Sequence, residues 1–405
     1  MTTLLLRAVE VAPGRTGLAA ARSALASRLE GVGPPFALVP RASRHISDDY
    51  CHTVRLAVHP DEPVEDGDTV VVLATSGSTG TPRGVCITRD NLVAAVESSW
   101  EHVPGLRDCA WVVALPVTSI AGFATLVRAH LADTPVHSLD SIGGAVPFTP
   151  AALMALPISQ PFAISLVPTQ LSDVLTSPSA TRWLAAATAV MVGGATTPRE
   201  LTERAREAGI RLVTTYGMTE TTGGCVYDAV PLPGVTIEVD HVDPITGLGR
   251  ISLAGPAIAA GYRLDPVATA AAFTGQGEHR RFTTADRGSW HDGRLDVSGR
   301  LDDVVSIHGV NVGLDAVETV VRSEVSVRDV AVVAVPDHRA GHRIIAFVVL
   351  SDPSRLDVIA ALVADRLGGA ARPNVIEIAQ LPLLINGKID RHSLRALAQV
   401  DPQGQ

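Results

Sequence analysis

Lysine is nearly absent from this 405-residue chain: Lys388 is its one lysine, and every other residue of the 33 Lys and Arg together is arginine. A chain that uses arginine wherever a generic cation suffices draws attention to the position where it keeps an ammonium, because the two side chains do not exchange at a geometrically strict site. Aromatics are scarce as well, at 4%, so buried cores must be built mainly from Ala, Val and Leu. Cysteine is rare. Cys51, Cys86, Cys109 and Cys225 form no CxxC pair, which argues against a zinc site or a disulfide framework and for reduced thiols in a cytoplasmic protein. No HExxH pattern occurs among the 13 histidines. Long hydrophobic runs are missing too. The N-terminal Met1–Arg7 stretch is far shorter than a signal-peptide core or a membrane span of about 20 residues. Positive charge is not in excess, since the formal net charge is −9, so neither nucleic acid nor an anionic membrane is expected as a partner.

What is present is ample apolar material, 46% of residues against 19% charged, which excludes a disordered or collagen-like chain. Length alone suggests two or three domains. Up to about residue 230, short apolar runs alternate with amphipathic stretches. Val70–Leu73, Trp111–Leu115, Ala189–Val192 and Arg211–Thr215 read as strands. A helical pattern runs from about Asp90 to Trp100, and Pro198–Ala208 reads as a helix stopped by Gly209. This alternation predicts an α/β class with a layered, largely parallel sheet. From about 234 to 300 short alternating runs between glycine-rich turns predict a β-rich subdomain. Beyond it, helices at Asp315–Arg322 and Val358–Leu367 and strands at Val330–Val335 and Ile344–Leu350 predict a small α+β unit. The expected division is therefore an N-terminal domain at 1–301 and a mobile C-terminal domain at 302–405. Leu367-Gly368-Gly369 faintly resembles a carrier-protein attachment site, but Ala370 and Ala371 follow where serine is needed, and a helix C-cap is the better reading.

The most specific local signal is Ala74-Thr-Ser-Gly-Ser-Thr-Gly-Thr-Pro-Arg-Gly84. It follows a strand and is expected to lead into a helix. Its glycines allow close backbone approach, and consecutive N–H groups in such a loop form an anion nest suited to phosphates. It is no Walker A loop, which needs Gly-Lys before Ser or Thr. A second cluster, Thr215-Tyr-Gly-Met-Thr-Glu220, puts an aromatic face, a hydroxyl and a hard carboxylate at a spacing that suits a nucleotide and a metal ion.

These segments resemble, in order, the signatures of the adenylate-forming enzymes: acyl-CoA ligases, peptide-synthetase adenylation domains and luciferases. In that family the loop usually ends Pro-Lys-Gly. Here Arg83 keeps the charge. The resemblance implies ATP, Mg²⁺ and CoA as cofactor and co-substrates. It further implies nucleotide contacts from Thr75, Ser76, Gly77, Ser78, Thr79, Gly80, Arg83, Gly193, Gly194, Ala195, Thr215, Tyr216, Gly217, Asp286 and Arg300. Tyr216 would stack on adenine, Asp286 would bind ribose, Thr219 would touch the α-phosphate and Glu220 would hold Mg²⁺. Asp302 falls at the family's hinge, and Gly309 lies in the loop that serves the CoA half-reaction. Lys388, in Asn386-Gly-Lys-Ile-Asp-Arg391, matches the catalytic-lysine loop, where an ammonium relieves the approach of a carboxylate to a polyanion.

Ser165–Leu171 and Gly223–Asp228 further resemble the o-succinylbenzoate–CoA ligases of menaquinone biosynthesis, and the short N-terminus fits their actinobacterial form. An acyl pocket lined by Ser119, Gln170, Gly217, Gly223 and Gly224 is implied. Ser119 stands where the family often has histidine, which points to weaker binding of that acid or to a related one. A ligase for another aromatic or aliphatic acid, or an enzyme that loads a separate carrier protein, is the alternative. Only small-molecule partners are expected, and homo-oligomerisation is left open.

Overall fold

In the computed structural model of the protein, residues 4–44, 46–75, 82–139, 148–337, 339–352, 355–384 and 387–400 are described. Ser76, Gly77, Ser78, Thr79, Gly80 and Asn386 lie outside them. The α/β expectation holds. The Val/Ile/Leu-rich runs become strands buried on both faces, as parallel sheets require. The largest sheet has seven strands. Ala110–Val113 is flanked by the parallel strands Val136–Ser138 and Phe162–Leu166. Ala189–Gly193 and Leu212–Met218 continue the parallel set outward. Gly223–Tyr227 then turns back antiparallel beside Leu212–Met218.

From Ala110–Val113 the chain first goes to one side, to Val136–Ser138, and then returns to the other, to Phe162–Leu166. The gap between the carboxyl ends of Ala110–Val113 and Phe162–Leu166 is thus a topological switch point, where open α/β sheets form a crevice.

A second sheet joins Arg7–Val11, Phe36–Pro40 and Thr69–Ala74 in parallel, followed by Gly84–Thr88 and Gly261–Tyr262 in antiparallel order. One local expectation is corrected here. The Ala74–Gly84 loop does not lead directly into a helix. It connects antiparallel strands, with Ala74 opposite Gly84, and the helix Arg89–His102 begins only after Gly84–Thr88. Val85-Cys86-Ile87 is short and apolar, and it is buried in the sheet. The helix N-terminus therefore belongs to the Thr88/Asn91 capping box rather than to the loop.

Residues 236–300 form a third, antiparallel sheet built from Thr236–Asp240, Gly249–Ala254, Arg281–His291 and Arg294–Arg300, as the change in texture predicts. Hydrophobic clusters segregate along the chain. The buried members of three clusters all precede Val297, and those of two others all follow residue 306. The second group packs the helices Leu314–Arg322, Leu356–Leu367 and Arg391–Val400 on the sheet of Val327–Asp337, Gly341–Leu350 and Asn374–Glu377. Gly368 caps its helix at φ 91°. Among the described residues no helix is long and apolar enough to cross a membrane.

Candidate active site

Four of the motif segments end up on one rim, because each follows a strand of the large sheet at its carboxyl end. Ala114–Ser119 follows Ala110–Val113, Val167–Gln170 follows Phe162–Leu166, Gly193–Ala195 closes Ala189–Gly193, and Thr215–Glu220 closes Leu212–Met218. Small residues let these ends crowd together. A Cβ on Gly193 would lie 2.2 Å from Thr215 Oγ1, and one on Gly217 would lie 2.0 Å from the Gly223 carbonyl oxygen.

Tyr216, Asp286 and Arg300 meet as a connected group. Asp286 and Arg300 are directly opposite each other on Arg281–His291 and Arg294–Arg300. The Tyr216 hydroxyl donates to Asp286 Oδ2 at 2.7 Å, and Arg300 Nη1 donates to Oδ1 at 3.3 Å. Burial raises the Asp286 pKa, against the opposing pull of Tyr216, Arg300 and Lys388. Arg300 also grips Asp302 with two donors, each at 2.8 Å.

Glu220 sits in the short 3-10 turn Thr219–Thr221. Its Oε1 accepts from the Tyr262 hydroxyl at 3.0 Å. Its pKa is raised, burial being the main cause. Thr219 is buried beside it. Across from them Thr75 and Arg83 close the base of the loop: Thr75 N–H donates to the Arg83 carbonyl at 2.8 Å, and Arg83 N–H donates to Thr75 Oγ1 at 3.0 Å. The Arg83 guanidinium lies 5.2 Å from the centre of the Tyr262 ring.

Lys388 enters from the C-terminal unit on a tight turn between Leu383 and Ile389. Gly387, at φ 76°, permits that turn. The Gly387 carbonyl accepts from Thr169 Oγ1 at 3.4 Å. A Cβ on Gly194 would come within 3.0 Å of Lys388 Cε and 3.7 Å of its Nζ, so the ammonium stem lies on bare backbone at the rim of the large sheet. Desolvation lowers the Lys388 pKa, while Asp286 and Glu220 push it back up. An ion pair between Arg287 Nη2 and Asp315 Oδ1, 3.1 Å long, also joins the two units. Gly309 is elsewhere. With His308 it forms the exposed turn of the hairpin Val304–Ile307/Val310–Gly313, both residues at positive φ.

The part of the rim around Ser119 and Gln170, the expected acyl pocket, is differently built. Ser119 caps the helix Ile120–Leu131, accepting from Gly122 N–H and donating to the Pro116 carbonyl at 2.7 Å. Gln170 stands at the switch point. Its Oε1 accepts from Val167 N–H at 3.2 Å, and its Nε2 donates to the Ala114 carbonyl at 3.3 Å. Gly223, at φ 108°, faces Ile120 and Ala124. Sequence reasoning missed Arg128, which is only 5% exposed. Its guanidinium donates to Tyr227 Oη and Ser99 Oγ and lies over the Trp111 ring. Among the described residues it forms no ion pair with a carboxylate. A charge on the buried stripe of a helix is the signal that could have found it. Tyr262 was missed as well, and no spacing in the sequence marks it.

The two-part fold agrees with the comparisons. Residues 16–263 match the AMP-binding enzyme family and residues 316–388 match the AMP-binding enzyme C-terminal domain; the chain belongs to this family. Among individual relatives, a probable 2-succinylbenzoate–CoA ligase of Mycobacterium tuberculosis is 36% identical over 401 residues, spanning 96% of this chain and 97% of that one. The 2-succinylbenzoate–CoA ligase of Escherichia coli K12 is 30% identical over 339 residues, spanning 80% of this chain and 68% of that one. The fold is similar to that of o-succinylbenzoate CoA synthetase from Bacillus subtilis in complex with its acyl-adenylate, at TM-score 0.72, 23% identity, 96% of this chain and 88% of that one.

Proposed function

We propose that this chain is an ATP-dependent acid–CoA ligase that activates 2-succinylbenzoate as its acyl-adenylate and passes the acyl group to CoA. The observation that carries the reaction class is Lys388: the only ammonium side chain in the sequence is held against Gly194 at the carboxyl-end rim by a separately packed unit. The acid is supported by a relative that matches nearly end to end.

In the first half-reaction a carboxylate oxygen attacks the α-phosphorus of ATP, the bond to the bridging oxygen breaks, and pyrophosphate leaves. Tyr216 offers its ring to adenine, while Asp286, oriented by Tyr216 and Arg300, accepts from ribose hydroxyls. Thr219 and the loop from Thr75 to Gly84 hold the phosphates. Lys388 neutralises charge shared by the incoming carboxylate and the α-phosphate. The donor set fits Mg²⁺: Glu220 is a lone hard carboxylate beside the loop base, with no cluster of three ligands among the described residues, and magnesium is usually held by one or two carboxylates together with substrate phosphates. Bound there, Mg²⁺ supplies neutralisation of phosphate charge.

For the second half-reaction the unit from 302 onward rotates about Asp302. The Arg287–Asp315 pair opens, Lys388 withdraws, and the hairpin around Gly309 takes its place. The CoA sulfur attacks the acyl carbon, its proton is lost, and AMP leaves. Four free cysteines suit the cytoplasm as its location.

A pyrophosphate-release screen over aryl and fatty acids tests this reading. Release with 2-succinylbenzoate, and thioester once CoA is added, is the expected result. Release only with another acid would reassign the substrate, and acyl transfer only to a carrier protein would reassign the acceptor.

A further inference from the structure

Tyr262 lies outside the segments singled out in the sequence, yet it joins two of them. It lies on the two-residue strand Gly261–Tyr262, opposite Val85, so it abuts the strand that leaves the phosphate loop. Its backbone is fixed on both sides: Tyr262 N–H donates to Thr269 Oγ1 at 2.9 Å, and Arg263 N–H donates to the Gly84 carbonyl at 2.7 Å. Its ring is fixed by the edge-on Phe273, 5.2 Å away, and by the Arg83 guanidinium. The same segment holds the Glu220 backbone, because Ala259 N–H donates to the Glu220 carbonyl at 2.9 Å. A phenol this constrained donates its one proton to Glu220 Oε1 at 3.0 Å.

We propose that Tyr262 is a positioning residue for the Glu220 carboxylate: by tying down Oε1 it presents the other oxygen to the Mg²⁺ that accompanies ATP. The proposal rests on the reading of Glu220 as the metal ligand. Hydrogen bonds to a metal-ligating carboxylate set its orientation, and their loss commonly costs about tenfold or more in metal affinity. Tyr262→Phe removes the donor and keeps the ring against Phe273 and the Arg83 guanidinium.

The test is a Mn²⁺ titration followed by electron paramagnetic resonance, with the full chain saturated by a non-hydrolysable ATP analogue, for the wild type, Tyr262→Phe, Glu220→Gln and the double variant. Tyr262→Phe should weaken Mn²⁺ about tenfold, Glu220→Gln at least as much, and the double variant no more than Glu220→Gln alone. Metal-free binding of the analogue should be unchanged in Tyr262→Phe. If Glu220→Gln weakens Mn²⁺ while Tyr262→Phe stays within about twofold of the wild type, Tyr262 only packs, and the role of Glu220 stands. Additive losses in the double variant would equally overturn the proposal, since Tyr262 would then act on the metal by another route. If Glu220→Gln itself leaves Mn²⁺ binding intact, the metal-ligand reading fails and the role of Tyr262 fails with it.

Discussion

The two sides of the crevice differ in where their polar groups point. On the nucleotide side, side chains bond to side chains: Tyr216 and Arg300 to Asp286, and Tyr262 to Glu220. These pairs hold the groups already oriented, which is the preorganisation that charge-stabilising catalysis needs. On the acyl side, side chains bond to backbone. Ser119 caps a helix, and Gln170 ties together the ends of two strands. Those polar atoms hold the ends of the strands and the start of the helix together. On the proposed function, the first side would carry the reaction and the second would choose the acid by shape.

The comparison breaks if substitutions on the two sides have the same consequence. Lys388→Ala should have the largest effect, lowering the adenylation rate by about 10²–10³, the scale for one preorganised electrostatic group; single-turnover pyrophosphate release measures it. Next comes Gly194→Ala. The new Cβ would meet the Lys388 stem at 3.0 Å, and an ammonium displaced so that it loses about 1.4 kcal/mol of transition-state stabilisation should cut adenylation about tenfold, while the φ of 82° should lower Tm. Gln170→Ala should act on stability instead. It leaves the Val167 N–H and the Ala114 carbonyl without their buried partner, a cost of about 1–3 kcal/mol seen as a lowered Tm. A raised KM for the acid with Tm unchanged would mean that Gln170 binds substrate.

The smallest effect is one of pH. Because desolvation lowers the Lys388 pKa from its ordinary 10.5, the ammonium is present at low pH and is lost as pH rises through the lowered value. Adenylation should therefore decline on an alkaline limb below the ordinary lysine range. Between the lowered and ordinary values the undocked lysine binds the extra proton, so docking of the C-terminal unit gains stability with pH while activity falls. Thioester formation from supplied acyl-adenylate should lack this limb.

Much of the nucleotide side was legible because its chemistry depends on residue type: a glycine-rich loop, an aromatic followed by a hydroxyl and a carboxylate, and a solitary lysine can be read without knowing the fold. The layered sheet and the small C-terminal unit were legible from periodicity. The strand Gly84–Thr88 was not, since five residues of buried strand carry no alternation that separates them from the lead-in to a helix. Tyr262 was hidden because its partner Glu220 is 42 residues away and is brought near only by the packing of one sheet against another. The local bonds of Ser119 and Gln170 to backbone are not legible either, since a helix cap and a crossover set them and no motif records them.

The most direct test of the central claim, that Lys388 reaches in from its own unit to serve one half-reaction, is to follow both half-reactions of Lys388→Ala in parallel. The account predicts that adenylation collapses while acyl transfer from supplied adenylate to CoA stays within a few-fold of the wild type. Equal losses in the two would contradict it.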